Sequence, residues 1–315
     1  MYINGKEGIN HVKHNTIRFN YISAEWGAGE RNTRRDGQLN ELRGKCGAGG
    51  ITCKSISKER RKGHPTPVIQ AYEHGLVNAV GLSSIGVEDT MAELRQVRQN
   101  TDAVIIASIF SGNIDEFGET AAAVDPNICD AIEINISCPN VSDEFGLPFC
   151  ANPQLSGQIV RRVCDNTKLP VIVKLSPNFP NIGILAKTCQ DNGASGITAI
   201  NTVGPGMLID IHTFRPKVSN KRGGVSGPGI LPVAIRCVYD IYNAVNIPII
   251  GMGGVTTAED AIQMSAAGAT VYGVGTGVLY GGMEIFGNIN EGIEKYLSEM
   301  NMKYEDLIGI AHRNM

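Results

Sequence analysis

Eight short apolar runs alternate with helical patterns along nearly the whole chain, and that alternation leaves few folds open. The runs occupy residues 17–23, 50–56, 103–109, 131–136, 170–175, 196–200, 247–251 and 270–274, and each reads as a buried strand. Between them, apolar periodicity predicts helices over 89–99, 115–123, 153–164, 181–191, 230–244 and 258–266, with further helices after the last strand. Thr257 and Asp260 have the spacing of a capping box that opens the helix at 258. Strands and helices in strict alternation imply an α/β fold with a parallel sheet, and eight units imply a (β/α)8 TIM barrel. A single barrel domain spanning residues 1–315 is expected, with the active site at the C-terminal ends of the strands.

Some stretches fit this pattern less well. Arg18 and Asn20 interrupt the first run, and residues 24–47 have little periodicity and receive no assigned structure. Residues 76–82 read as part of a long loop, and 203–229 as another, rich in Gly and Pro. Loops of that length in a compact domain usually carry function.

A barrel gathers distant strand ends at one mouth. Lys54, Asn78, Ser108, Asn135, Cys138, Lys174, Asn201 and Thr202 all fall at or just beyond such ends. Cys138 sits in Asn135-Ile136-Ser137-Cys138-Pro139-Asn140, directly after a strand, where a thiol can ionise and reach a substrate proton. Residues 141–151, with Phe145 and Phe149 among Ser, Asp, Glu and Gly, have the composition of a loop that closes over a site. Gly253-Gly254 and Gly275-Thr276 follow the last two strands, where main-chain N–H groups commonly hold a phosphate. Gly273-x-Gly275-x-Gly277 lacks the full dinucleotide fingerprint and does not open a doubly wound sheet, so a nucleotide fold is rejected. A phosphorylated cofactor beside a small polar ring suits this set. Composition alone does not choose flavin over pyridoxal phosphate.

Bulk properties exclude several classes. A net charge of −3 gives no pull toward nucleic acid or anionic lipid, and the basic run at 58–62 is broken by Glu59. The eight cysteines show no C-x-x-C spacing and the six histidines no H-E-x-x-H pair, which argues against a metal, a cluster or a disulfide framework. No run approaches the length of a membrane span, and the N-terminus has no secretory apolar core, so a soluble, cytoplasmic protein is expected.

Seven motifs then fall in a telling order: Thr52-Cys53-Lys54-Ser55, Asn78-Ala79-Val80-Gly81-Leu82, the 135–140 hexapeptide, Val173-Lys174-Leu175-Ser176-Pro177, Asn201-Thr202, Gly223-Gly224-Val225-Ser226-Gly227-Pro228 and Gly251-Met252-Gly253-Gly254. Together, over roughly residues 48–290, the chain resembles the class 1 dihydroorotate dehydrogenases. The resemblance implies an FMN-bound barrel that oxidises dihydroorotate to orotate in pyrimidine synthesis. It implies Cys138 as the base that takes the C5 proton while FMN takes the C6 hydride. It implies substrate contacts at Lys54, Asn78, Ala79, Val80, Gly81, Leu82, Asn135, Asn140, Asn201 and Thr202. Flavin contacts are implied at Lys54, Ser55, Ser108, Asn135, Lys174, Ile200, Gly227, Gly253, Gly254, Gly275 and Thr276, with Ser108 standing where many members have Asn.

The loop after Cys138 and the 223–229 segment look more like the NAD-linked type B branch than the fumarate-linked type A. That branch implies a separate subunit carrying FAD and a 2Fe-2S cluster, and a homodimer of this chain. Residues 15–47 depart from the family pattern, with Asn15-Thr16 where an Asn-Pro start is usual and no small-residue flavin turn. Two alternatives remain at this point: a related dihydropyrimidine-oxidising flavoprotein, and a non-catalytic barrel subunit that has lost its first flavin loop.

Overall fold

The computed structural model describes residues 20–23, 47–136 and 152–313, the first four by backbone alone. In chain order its strands are β1 (Asn20–Ser23), β2 (Gly50–Thr52), β3 (Ile69–Tyr72), β4 (Gly75–Asn78), β5 (Val104–Ile109) and β6 (Ala131–Asn135). They continue as β7 (Val171–Leu175), β8 (Gly196–Ala199), β9 (Val203–Gly206), β10 (Gly223–Ser226), β11 (Ile249–Met252) and β12 (Val271–Val274). The α-helices are α1 (Val87–Arg98), α2 (Ile114–Ala122), α3 (Pro153–Cys164), α4 (Ile182–Asp191), α5 (Leu231–Tyr242), α6 (Ala258–Ala266), α7 (Gly277–Gly281), α8 (Ile285–Glu299) and α9 (Tyr304–Leu307).

Eight parallel strands close into a barrel in the order β1-β2-β5-β6-β7-β8-β11-β12, with β1 pairing both β2 and β12. The closed barrel expected from the alternation is therefore present. Strand side chains alternate between two faces, and here both faces are dry. Ile105, Ala107, Ile109, Ile132, Ile134, Val173 and Leu175 are buried in the large cluster shared with the surrounding helices. A second, smaller cluster groups Ile106, Ala131, Ile172 and Ile250, the residues of opposite parity on their strands. Two residues further along, the same parity becomes polar: Ser108, Glu133 and Lys174, each about 1% exposed. Thr198 Oγ1 donates to Glu133 Oε2 at 2.8 Å, joining β8 to β6 within this polar layer. The change from apolar to polar along β5, β6 and β7 points the chemistry toward the C-terminal mouth.

The helices begin where short side chains can satisfy their first N–H groups. Asn113, Asn152 and Asn181 accept from the N–H groups of Glu116, Leu155 and Ile184 at the starts of α2, α3 and α4. Thr257 and Asp260 form both halves of the expected capping box at α6.

Two stretches read as loops are ordered differently. β3 and β4 form a hairpin, β9 and β10 pair with each other, and together they make a separate antiparallel sheet in the order β3-β4-β10-β9. Each strand has four residues, too few for alternation to register. Pro205 is tolerated because β9 is an edge strand. At Gly224 a Cβ would lie 2.1 Å from Thr202 Oγ1, so only glycine lets this sheet approach the end of β8. The second strand is also shorter than expected: β2 stops at Thr52, leaving Lys54 and Ser55 beyond it, and Ile56 bridges Ile109. Of the first run, residues 17–19 lie outside the described residues, as do the proposed closing loop at 141–151 and the unassigned 24–46.

Candidate active site

At the C-terminal mouth two cavities share a wall at Asn201 and Thr202. The smaller, about 40 Å³, is lined by Lys174, Ile200, Ser226, Gly227, Met252, Gly253, Gly254, Gly275, Thr276 and neighbours. The larger, about 770 Å³, lies between the barrel mouth and the antiparallel sheet. Its lining includes Lys54, Ser55, Asn78, Ala79, Val80, Gly81, Leu82 and Asn135.

Hydrogen bonds tie the floor together and set the amide orientations. Asn201 Nδ2 donates to Asn135 Oδ1 at 3.3 Å, and Asn135 Nδ2 donates to Ser55 Oγ at 3.2 Å. Ser55 Oγ lies 3.2 Å from Ser108 Oγ. Residues from four barrel units thus form one buried row, its order fixed by donors and acceptors. Asn201 Oδ1 accepts the N–H of Thr202 at 2.7 Å, which continues the row into the wall between the cavities. Thr276 Oγ1 donates to Ser226 Oγ at 2.9 Å, stitching the barrel to the antiparallel sheet.

The electrostatics favour anions. No Asp or Glu lines either cavity among the described residues, whereas Lys174 lines the smaller and Lys54, Lys221 and Arg222 the larger. Lys174 is about 1% exposed, a burial that an ammonium tolerates only among groups that stabilise its charge. The N–H groups of Gly253 and Gly254 have no hydrogen-bond acceptor among the described residues, and they line the cavity that Lys174 lines. The two main-chain donors make a phosphate-sized anion site, and the buried cation adds positive potential to the same cavity.

The candidate residues therefore divide. Lys54, Ser55, Asn78 to Leu82 and Asn135 face the larger cavity; Lys174, Ile200, Gly227, Gly253, Gly254, Gly275 and Thr276 face the smaller; Asn201 and Thr202 face both. Ser108 lies one layer behind Ser55 and lines neither. Cys138 and Asn140 lie outside the described residues. Sequence reasoning passed over Asn178, which lines the larger cavity three residues past β7 and accepts the Gly204 N–H at 3.0 Å. Its place just after a barrel strand was the available signal. Lys221 and Arg222, in the connection that leads into β10, were missed because that stretch reads as loop.

Four of the described thiols, Cys53, Cys129, Cys189 and Cys237, are buried and structural. Burial raises Cys53 and Cys189 to about 12 and Cys237 to about 11, and it raises Cys129 as well. Iodoacetamide at neutral pH is expected to leave these four unmodified in the folded chain and to label all four in urea, as read by peptide mass spectrometry. Because these thiols stay protonated in the fold while free thiols titrate near 9.0, stability is expected to fall as pH rises above that value toward 12.

A (β/α)8 barrel with a phosphate-sized anion site opening onto a polar, cationic cleft defines a class: barrels that hold a phosphorylated ligand beside a second small molecule. The family model for dihydroorotate dehydrogenase matches residues 33–297, and the chain belongs to that family. Among its relatives is the dihydroorotate dehydrogenase B (NAD(+)) catalytic subunit of Methanothermobacter thermautotrophicus, 40% identical over 84% of this chain and 87% of the relative. The proteins of the same name from Pyrococcus horikoshii and Methanocaldococcus jannaschii are 42% and 40% identical, covering 84% and 85% of this chain and 86% and 88% of theirs. Among the described residues no helix is long and apolar enough to cross a membrane, and no cluster of His, Cys, Asp and Glu could hold a metal ion.

Proposed function

We propose that this chain oxidises (S)-dihydroorotate to orotate in pyrimidine biosynthesis, as the FMN-binding catalytic subunit of an NAD-linked dihydroorotate dehydrogenase. The observation that carries this reading is the abutment of the two cavities at Asn201 and Thr202, one built for a phosphate and one for a small polar ring. FMN fits the residues present. The N–H groups of Gly253 and Gly254, which have no acceptor among the described residues, with Gly275 and Thr276 beside them, would take its phosphate. Lys174, Ser55 and Asn135 would meet the polar edge of its ring system, with Ile200 and Gly227 along its length. FMN, when bound, supplies the acceptor for the hydride from C6.

The protein's own groups do the rest. Asn135 and Asn201, locked by their mutual hydrogen bond, present fixed donors and acceptors to the alternating N–H and C=O edge of a dihydropyrimidine. Lys54 faces the cleft where the substrate carboxylate would lie, and the 78–82 segment walls it; Asn140, outside the described residues, would add a further substrate contact. Cys138, two residues after Ile136 in the sequence, takes the C5 proton as a thiolate. Ser108 orients Ser55.

A separate subunit bearing FAD and a 2Fe-2S cluster would carry electrons on to NAD. The names of the relatives, each a catalytic subunit of a NAD(+) enzyme, support a partner subunit and NAD as the acceptor. We place the enzyme in the cytoplasm, as a homodimer. The test is anaerobic addition of dihydroorotate to the purified chain loaded with FMN. Bleaching of the flavin with formation of orotate, and none with dihydrouracil, is expected; an unreduced flavin, or equal reduction by both, contradicts the proposal.

A further inference from the structure

Residues 79–82 wall the larger cavity without belonging to any strand or helix, so something outside the cavity must hold their shape. His64 does this from behind. Its main-chain N–H donates to Val80 O at 3.0 Å, and its ring Nδ1 lies 3.0 Å from Ala79 O. A carbonyl only accepts, so Nδ1 carries the hydrogen. Two successive carbonyls of the wall are thereby drawn onto one residue.

The ring also fits against Gly81. That residue has φ +80°, and a Cβ there would come within 2.6 Å of His64 N and 2.7 Å of its Cγ. Leu82 follows at φ +54°, a conformation that a leucine seldom adopts without a framework imposing it. The framework continues on both sides. Arg61 and Ser84 exchange N–H···O bonds of 2.8 and 2.9 Å, and the Ala79 N–H donates to Val68 O at 2.7 Å. Among the described residues, the Nδ1 contact is the side-chain hydrogen bond that reaches the carbonyls of 79–82 within this frame.

We infer that His64 is a positioning residue for dihydroorotate: it lines neither cavity and touches no substrate, but it holds the 79–82 wall in the shape that the substrate meets. This inference rests on the function proposed above. A wall that contacts substrate equally before and during the reaction contributes uniform binding, so its loss raises KM and leaves kcat.

The test compares His64→Leu, His64→Ala and His64→Asn in the full chain loaded with FMN, using steady-state oxidation of dihydroorotate with a soluble redox dye as the electron acceptor and equilibrium dialysis of orotate. Asn carries an N–H donor the same number of bonds from the backbone as His Nδ1, whereas Leu and Ala carry none. Loss of this part-buried hydrogen bond predicts that H64L and H64A raise KM and the orotate Kd by about five- to tenfold, with kcat within about twofold. H64N is expected to keep both constants near those of the wild type. Unchanged KM in a folded H64L or H64A overturns the inference, as does a folded H64N whose KM rises about tenfold. H64N decides the matter even where the apolar variants fail to fold. If the wild-type chain itself does not oxidise dihydroorotate, the functional proposal fails; if it does and the variants match it, only the role of His64 fails.

Discussion

Replacing Cys138 by serine is expected to lower dihydroorotate turnover by about 10²-fold or more while FMN stays bound. The reasoning is chemical. Oxidation of the C5–C6 bond removes a proton as well as a hydride, and a hydroxyl at this position is a far weaker acid than a thiol, so little of the basic form exists at neutral pH. In the wild type, the rate should climb with pH as the thiolate fraction grows. C138S should push that rise to higher pH and leave orotate binding nearly as it was. Equal turnover in the two proteins at neutral pH would remove the thiol from the reaction.

Lys174→Met is expected to act on the cofactor. Methionine preserves most of the volume in the barrel interior while deleting the one cation that lines the smaller cavity among the described residues. Charge-assisted hydrogen bonds contribute about 1.5–3 kcal/mol, so the affinity for FMN should fall by roughly 10- to 100-fold. The protein should elute pale after ultrafiltration, with its thermal transition measured in parallel to confirm folding. Retention of FMN at the wild-type level would mean that Lys174 serves the barrel core instead. The two substitutions separate the site into halves: C138S keeps the colour and loses the rate, and K174M loses the colour first.

What was legible in the sequence follows the length of each signal. The barrel strands show because their apolar runs are bounded by turns and recur at regular intervals, and because burial on both faces makes them continuous rather than alternating. The α6 start was readable to the residue, since Thr257 and Asp260 need only local geometry to form their box. The antiparallel sheet was not readable. Val203-Gly204-Pro205-Gly206 and Gly223-Gly224-Val225-Ser226 are strands only because each finds a partner far away in sequence; Gly224 allows close approach to Thr202 at the barrel end, and Gly206 and Gly223 allow close packing within the sheet.

The site showed the same division. Strand-end polar residues could be named because a barrel must bring them together, and nearly all the described ones do line the two cavities. Ser108 illustrates the limit: parity placed it on the right face, but only the hydrogen bond to Ser55 shows that it stands one layer back. His64 was invisible for a related reason. It follows Gly63 in what reads as a solvated loop, and its work is done through main-chain carbonyls 15 and 16 residues away, which no local pattern announces.

The central claim is spatial: the phosphate of FMN occupies the smaller cavity and its ring reaches the larger, where the pyrimidine stacks against it within the 78–82 wall. A crystal structure of the chain with FMN and orotate tests this most directly. The account predicts phosphate oxygens on the N–H groups of Gly253 and Gly254, and orotate between the flavin and Asn78–Leu82, with Cys138 Sγ at its C5. A phosphate bound elsewhere, or orotate lying away from the flavin with the Cys138 sulfur turned toward the opposite end of the barrel, would contradict it.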